Sequence, residues 1–194
     1  MHEVSFNGLS LAAQPGRVMT PRPASEQLVA AAVDVIGSRP ARVADVGTGT
    51  GAIAVAIAEA APNARVYATD TSPHALELAH ANVRRHGLGG RVTVRHGDLL
   101  DPVPGPIDLV VANLPYLPAA DAGLYPDLAG EPAAAVFAPG DGLGPYRRLL
   151  AACAERLDGH AAVIIQLHRQ LLEATVADLH ALRDGLEYTQ KLAA

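Results

Sequence analysis

A single cysteine, a thin complement of charge and the want of any long apolar run bound this 194-residue sequence before any motif is read. With only Cys153 present, no disulfide can form within the chain. Its place in a helical pattern with Leu149, Leu150 and Leu157 makes it a small core residue rather than a nucleophile. Charged residues make up 18% of the sequence, below the usual share of about a quarter. The hydrophobic share is 49%, and no apolar run approaches the roughly 20 residues of a membrane span, so a soluble chain without a membrane partner is expected. Met1 leads into His2 and Glu3 with no basic-then-apolar segment, which gives no secretory signal and a cytoplasmic address as the expectation. A net charge of -5 argues against a nucleic-acid partner held by phosphate contacts, and Arg84-Arg85 and Arg147-Arg148 are too small to form a basic patch. None of the eight histidines falls in a His-x-x-x-His or Cys-x-x-Cys spacing. His74, His80 and His86 recur every six residues and so face different sides of a helix, and no metal site is expected. Internal repeats are absent too.

What is there is an alternation of strand and helix patterns, the mark of a mostly parallel, twisted α/β sheet with helices on both faces. The weak alternation around Asn7-Gly8 predicts a small N-terminal hairpin, a flap within residues 1–23 ahead of the sheet. Ser25 is positioned as the N-cap of a helix over 26–37. Strands follow at 42–46, 65–69, 91–95, 107–112 and 161–167. Helices are expected over 52–61, from Ser72-Pro73 to His86 with a stop at Gly87, over 144–157 and over 170–182. A sixth strand is expected at 187–192. The length suits one domain, 1–194. Residues 114–144, rich in Pro, Ala and Gly, form a long irregular segment after the fourth strand, where open α/β sheets bind ligands.

The chain is organised around Asp45-Val-Gly-Thr-Gly-Thr-Gly51, which takes a β-branched strand straight into a helix. Gly47, Gly49 and Gly51 permit a tight turn, and the loop amides, with Thr48 and Thr50 between the glycines, can approach a ligand at a positive helix N-terminus. With Ala52 the spacing also satisfies G-x-G-x-x-A, and Asp70 ends the next strand roughly 20 residues on. An adenosine cofactor follows from this, either a nicotinamide dinucleotide or S-adenosyl-L-methionine, and the loop alone leaves the choice open.

Asn113-Leu-Pro-Tyr116, at the carboxyl end of the buried fourth strand, narrows the choice. Together with the glycine loop, Asp70 and Gly97-Asp98-Leu99 it resembles the motifs of class I S-adenosylmethionine-dependent amino-methyltransferases, a Rossmann-like fold whose fourth motif reads Asn/Asp-Pro-Pro-Tyr/Phe. Pro21-Arg22-Pro23 with Ser25-Glu26, Gly130-Glu131-Pro132, and Asp141-Gly142-Leu143 leading to Tyr146-Arg147-Arg148-Leu149-Leu150 are similar to the HemK/PrmC family. Its members methylate the glutamine of the Gly-Gly-Gln motif in peptide chain release factors. The likeness runs over roughly residues 4–170, with Leu114 in place of the first Pro of the signature and Ala24-Ser25 where the family has Glu-Thr. The helical N-terminal domain through which bacterial members engage the release factor has no counterpart in it. A small partner subunit or a homodimer is therefore expected to share in binding the protein substrate.

The resemblance implies that Asp45 and residues Gly47 to Gly51 surround the cofactor's methionine part, that Asp70 accepts from both ribose hydroxyls, and that Asp98 accepts from the adenine amino group with Leu99 on the ring. The Asn113 side-chain carbonyl and the Leu114 main-chain carbonyl would hold the two hydrogens of an acceptor NH2, with Pro115 shaping the turn and Tyr116 stacked on the acceptor amide. Three functions stay open on the sequence: a glutamine-amide methyltransferase, another N-methyltransferase of this fold acting on a nucleobase or small amine, and a non-catalytic cofactor-binding module.

Overall fold

The computed structural model describes residues 2–167; the helix expected over 170–182 and the strand at 187–192 lie outside the described residues. An antiparallel hairpin opens the chain, β1 (His2–Phe6) against β2 (Leu9–Ala13), closed where Phe6 pairs with Leu9. Asn7 and Gly8 both take positive φ, 49° and 76°, as the two central residues of a type I′ turn must, and Asn-Gly is the pair that adopts it most cheaply. The expected hairpin is thus present, and it is packed onto the body of the chain. Phe6 and Leu11 are buried among the first helices, and Asn82 binds the hairpin by both ends of its amide, taking Ala12 N at 2.8 Å and giving to Ala12 O at 3.0 Å.

Among the described residues the main sheet has five parallel strands, β3 (Ala41–Val46), β4 (Ala64–Asp70), β5 (Val92–His96), β6 (Leu109–Ala112) and, near the end of the described chain, Ala162–Ile165. Helices α1 (Glu26–Ile36), α2 (Ala52–Ala60) and α3 (Pro73–Arg85) precede or link the first three. Residues Leu117–Pro118 (β7) and Phe137–Ala138 (β8) pair separately, with α4 (Ala133–Val136) between them, and α5 (Gly144–Arg156) leads to the last strand, β9. In space the order is β5-β4-β3-β6-β9. The chain leaves β3 toward one edge and returns at β6 on its other side, so the carboxyl ends of β3 and β6 border the crevice in which such sheets bind ligands.

Burial follows the pattern that a doubly covered sheet demands. Val43, Val66, Val92, Leu109 and Val111 face α1, α2 and Val83 of α3, while Ala44, Val46, Val110 and Ala112 face α5. Residues Ala52 to Ala58 of α2 are all buried, and its small side chains let it lie close on the sheet. At such a site Ile57→Ala would cost about 2–5 kcal/mol through transfer and cavity terms. Cys153 is in the core as expected, its thiol pushed up to about 12 by burial.

Helix α3 starts as read, with Pro73 in its first turn, Ser72 Oγ accepting from Ala75 N at 3.4 Å, and a stop at Gly87 with φ 67°. Helix α1 does not. A 3-10 turn over Pro23–Ser25 runs directly into it, so Ser25 already has helical φ and ψ of -78° and -9° and makes no capping bond. A cap needs extended backbone to turn its oxygen back on the helix; here the hydroxyl is left for another partner. Residues 114–144 also prove ordered rather than irregular, with β7, two 3-10 turns, α4 and β8 folding back on their own start.

Candidate functional site

Strand β3 ends at Val46, and the loop beyond it takes left-handed backbone at Gly47, Gly49 and Gly51, φ 72°, 56° and 79°. Gly47 N and Thr48 N both donate to Thr69 O at 2.9 Å, which ties the loop to the end of β4. Two of the glycines are also crowded by their neighbours. A Cβ on Gly47 would lie 2.6 Å from Leu114 Cδ2, and one on Gly51 would lie 3.1 Å from the Ala79 Cα. Asp45 braces the loop from behind: its Oδ2 accepts from Thr48 Oγ1 at 2.6 Å and from Ala54 N at 3.1 Å. It is 1% exposed, its Oδ1 has no hydrogen-bond partner among the described residues, and burial pushes its carboxyl up to about 6.

The other two acids sit at successive strand ends. Asp70, closing β4, accepts from Gly49 N at 2.9 Å and from Ser72 N at 2.8 Å, one bond to each oxygen, so it latches the glycine loop to the start of α3. Each oxygen keeps a second lone pair for a ligand donor. Asp98 follows β5 and is half-exposed in an ion pair with Arg148 of α5. Leu99 has φ 46°, unusual without glycine, and its carbonyl accepts from Thr69 Oγ1 at 2.9 Å. That bond holds the turn against β4.

After β6, the Asn113-Leu-Pro-Tyr116 turn is fixed from two sides. Asn113 Nδ2 donates to Ser25 Oγ at 3.0 Å, which is where the hydroxyl read as a helix cap has gone. The Asn113 carbonyl oxygen is thereby the end left for a ligand. Leu114 N donates to Tyr146 Oη at 3.0 Å, and that hydroxyl in turn donates to Gln166 O at 2.5 Å. Because the single Tyr146 proton goes to Gln166, the Leu114 carbonyl, 3.4 Å from the same oxygen, keeps most of its accepting capacity. Tyr146 is fully buried, which drives its phenol upward; burial also raises the half-buried Tyr116. A second brace closes the mouth. Glu131 Oε2 accepts from Thr20 N at 3.1 Å and its other oxygen lies 3.8 Å from Arg22 Nη2, joining the extended segment before α1 to the 114–144 segment.

All the residues expected of the site line one cavity of about 700 Å³ except Asp45 and Gly51, which stand behind the loop they shape. Ser25, Tyr146 and Glu131 complete the site, and no local pattern points to their roles: Ser25 fits a cap, and the other two reach the site from far along the chain. Among the described residues no group of three or more His, Cys, Asp or Glu is placed to hold a metal ion, and no helix is long and apolar enough to cross a membrane.

Comparison with known proteins agrees with this geometry. The family model of the methyltransferase small domain matches residues 24–124. A release factor glutamine methyltransferase of Gloeobacter violaceus is 45% identical over 156 residues, 78% of this chain and 54% of that protein. One from Bordetella pertussis is 39% identical over 184 residues, 88% of this chain and 67% of the relative. The chain thus spans half to two thirds of the length of these curated relatives. The fold is that of a ribosomal protein L11 methylase from Lactobacillus delbrueckii subsp. bulgaricus, at a TM-score of 0.63 and 22% identity over 85% of this chain and 71% of that one. With its cofactor-type loop, its Asn-Leu-Pro-Tyr turn and these relatives, the chain belongs to the methyltransferase small domain family.

Proposed function

We propose that the chain transfers a methyl group from S-adenosyl-L-methionine to the side-chain amide of a glutamine, in the Gly-Gly-Gln segment of a peptide chain release factor or similar protein. The observation that carries this reading is the orientation of Asn113, whose NH2 is spent on Ser25 so that its oxygen is offered to the cavity beside the Leu114 carbonyl. The names of the relatives support it. The donor set fits the cofactor. Asp70 keeps one lone pair on each oxygen for a ribose diol, Gly47 to Thr50 of the glycine loop line the same cavity, and Leu99 and Asp98, which line it too, would take a purine and its amino group. When bound, this cofactor supplies a methyl group already activated by its sulfonium.

The protein's task is then the nucleophile. An amide nitrogen has its lone pair delocalised into the carbonyl, and attack requires the NH2 to pyramidalise. Asn113 Oδ1 and Leu114 O would each accept one of its hydrogens, hold the lone pair in line and bind the positive charge that develops as the new N–C bond forms. One N–H proton then leaves and a neutral secondary amide remains. Tyr116, half-buried at the same turn, would stack on the planar amide.

A release factor as acceptor places the reaction in the cytoplasm, and the proposal includes a docking contribution from a small partner subunit or a second copy of the chain. Activity per chain that is unchanged by chain concentration and by added lysate removes that last part. The whole reading is tested by incubating the protein with labelled S-adenosyl-L-methionine and a release factor, then mapping the label by mass spectrometry. Label on the Gly-Gly-Gln glutamine is expected. Label confined to a nucleobase or small amine, or no transfer despite bound cofactor, overturns it.

A further inference from the structure

Arg22 lines the cavity beside Tyr116 and holds a guanidinium with no hydrogen-bonded acceptor among the described residues. Its Nε is buried and unpartnered, and its nearest carboxylate oxygen, Glu131 Oε1, lies 3.8 Å from Nη2, beyond hydrogen-bond reach. Glu131 is itself pinned. It takes Thr20 N at 3.1 Å and is one-tenth exposed, so it fixes the charge of Arg22 in place without consuming its donors. Arg22 and Tyr116, the side chain that would stack on the acceptor amide, line the same cavity; burial dominates and raises the Tyr116 phenol, and the charge of Arg22 acts on it in the opposite direction.

From this, and resting on the glutamine reading above, we propose that Arg22 is a substrate-binding residue that donates to main-chain carbonyl oxygens of the acceptor segment next to the reacting glutamine. The chemistry selects the ligand. A planar fork of donors matches two carbonyls of an extended chain, as a lysine's point charge does not. Glu131 neutralises the site and would repel an incoming carboxylate, so neutral peptide carbonyls are favoured over an acidic side chain or a chain terminus. Glycines beside the glutamine carry no side chain to keep the main chain away from the guanidinium, and Leu124, 73% exposed at the same mouth, offers the segment an apolar edge.

The test is steady-state and single-turnover kinetics of the 194-residue chain with a Gly-Gly-Gln peptide. Arg22→Gln should raise KM roughly ten- to a hundredfold, the scale for losing hydrogen bonds from a charged donor. The single-turnover rate at saturating peptide and the cofactor Kd should stay close to wild type. Arg22→Lys should recover only part of the loss, and Arg39→Gln, at an exposed arginine away from the cavity, should leave KM unchanged. Glu131→Gln keeps an acceptor for Thr20 N but removes the repulsion, and should lower KM selectively for a peptide carrying an acid beside the glutamine. An unchanged KM in Arg22→Gln, or a parallel fall in cofactor affinity and thermal stability, overturns the subsite and leaves Arg22 as a latch to Glu131. A wild-type chain that binds cofactor yet methylates no Gly-Gly-Gln peptide overturns the glutamine reading, and the subsite with it.

Discussion

Asn113 is the residue whose loss should be most informative. If its carbonyl holds an acceptor hydrogen chiefly in the transition state, Asn113→Ala should slow single-turnover methyl transfer by roughly a hundredfold to a thousandfold, as for losing one oriented transition-state donor or acceptor. Cofactor affinity should change far less; wild-type transfer with cofactor saturating would remove the amide-orienting role. Leu114→Pro restores the signature of related enzymes but deletes the N–H that Tyr146 Oη accepts. Its main-chain carbonyl remains, so turnover on glutamine should survive while stability in denaturant falls by about 1 kcal/mol. Loss of turnover without loss of stability would mean the Leu114 side chain, not its backbone, serves the reaction. Asp45 gives a pH prediction. Burial raises its folded pKa to about 6, so the folded state binds its proton more tightly than the unfolded chain does. The stability it contributes is present below the unfolded carboxyl range, near pH 4, and is lost as pH rises through about 6, on the order of 2–3 kcal/mol in all. Asp45→Asn should lack this component, and denaturant titrations from pH 4 to 7 that run parallel in the two proteins would refute it.

Elements were legible in the sequence where periodicity and local chemistry agreed. The buried run of β6, Ser72-Pro73 at the start of α3 and Asn7-Gly8 in the hairpin each decide a structure within a few residues, and each was realised. Interactions between segments distant in the chain were not legible. Ser25 reads as a cap because nothing local tells of Asn113, 88 residues away. The anchoring of the hairpin is hidden because Asn82, which is fully buried and joins Ala12 to Thr50 O at 2.8 Å, looks like any polar helix residue. Residues 114–144 read as irregular because their order comes from pairing β7 with β8 and from Gly142, where a Cβ would lie 2.2 Å from Tyr116 O at a φ of 85°. Gly142→Ala should therefore loosen this one segment. The left-handed backbone alone costs about 1–2 kcal/mol, and amide exchange should rise across 114–144 while the five-stranded sheet stays protected. Exchange unchanged in that segment would show that the contact with Tyr116 does not hold it.

At the scale of the molecule, the site has no wall of its own. The turn of the sheet between β3 and β6 places a cavity there, and its sides are borrowed from the segment before α1, the glycine loop, the end of β4 and residues 114–144. A few hydrogen bonds join these parts, among them Gly49 to Asp70, Asn113 to Ser25 and Thr20 to Glu131. A ligand that spans them adds its binding energy to the folded state, by about 2.7 kcal/mol at a hundred times its Kd. In a chain of this size that is a rise in Tm of roughly 5–10 °C. S-adenosylhomocysteine, the demethylated cofactor, should produce it, and a nicotinamide dinucleotide at the same concentration should not. Asp70→Ala removes both the proposed ribose acceptor and the bonds to Gly49 and Ser72, so the mutant should melt lower without ligand. Its shift with ligand should also shrink, in keeping with an affinity loss of about 1–3 kcal/mol for unpaired polar groups. The two effects separate in one titration, the first at zero ligand and the second in the concentration dependence. A mutant that melts lower but gains as much from the ligand as the wild type would keep Asp70 as a latch of the loop and place the ribose elsewhere, and an equal shift with the dinucleotide would remove the methyl donor from the site.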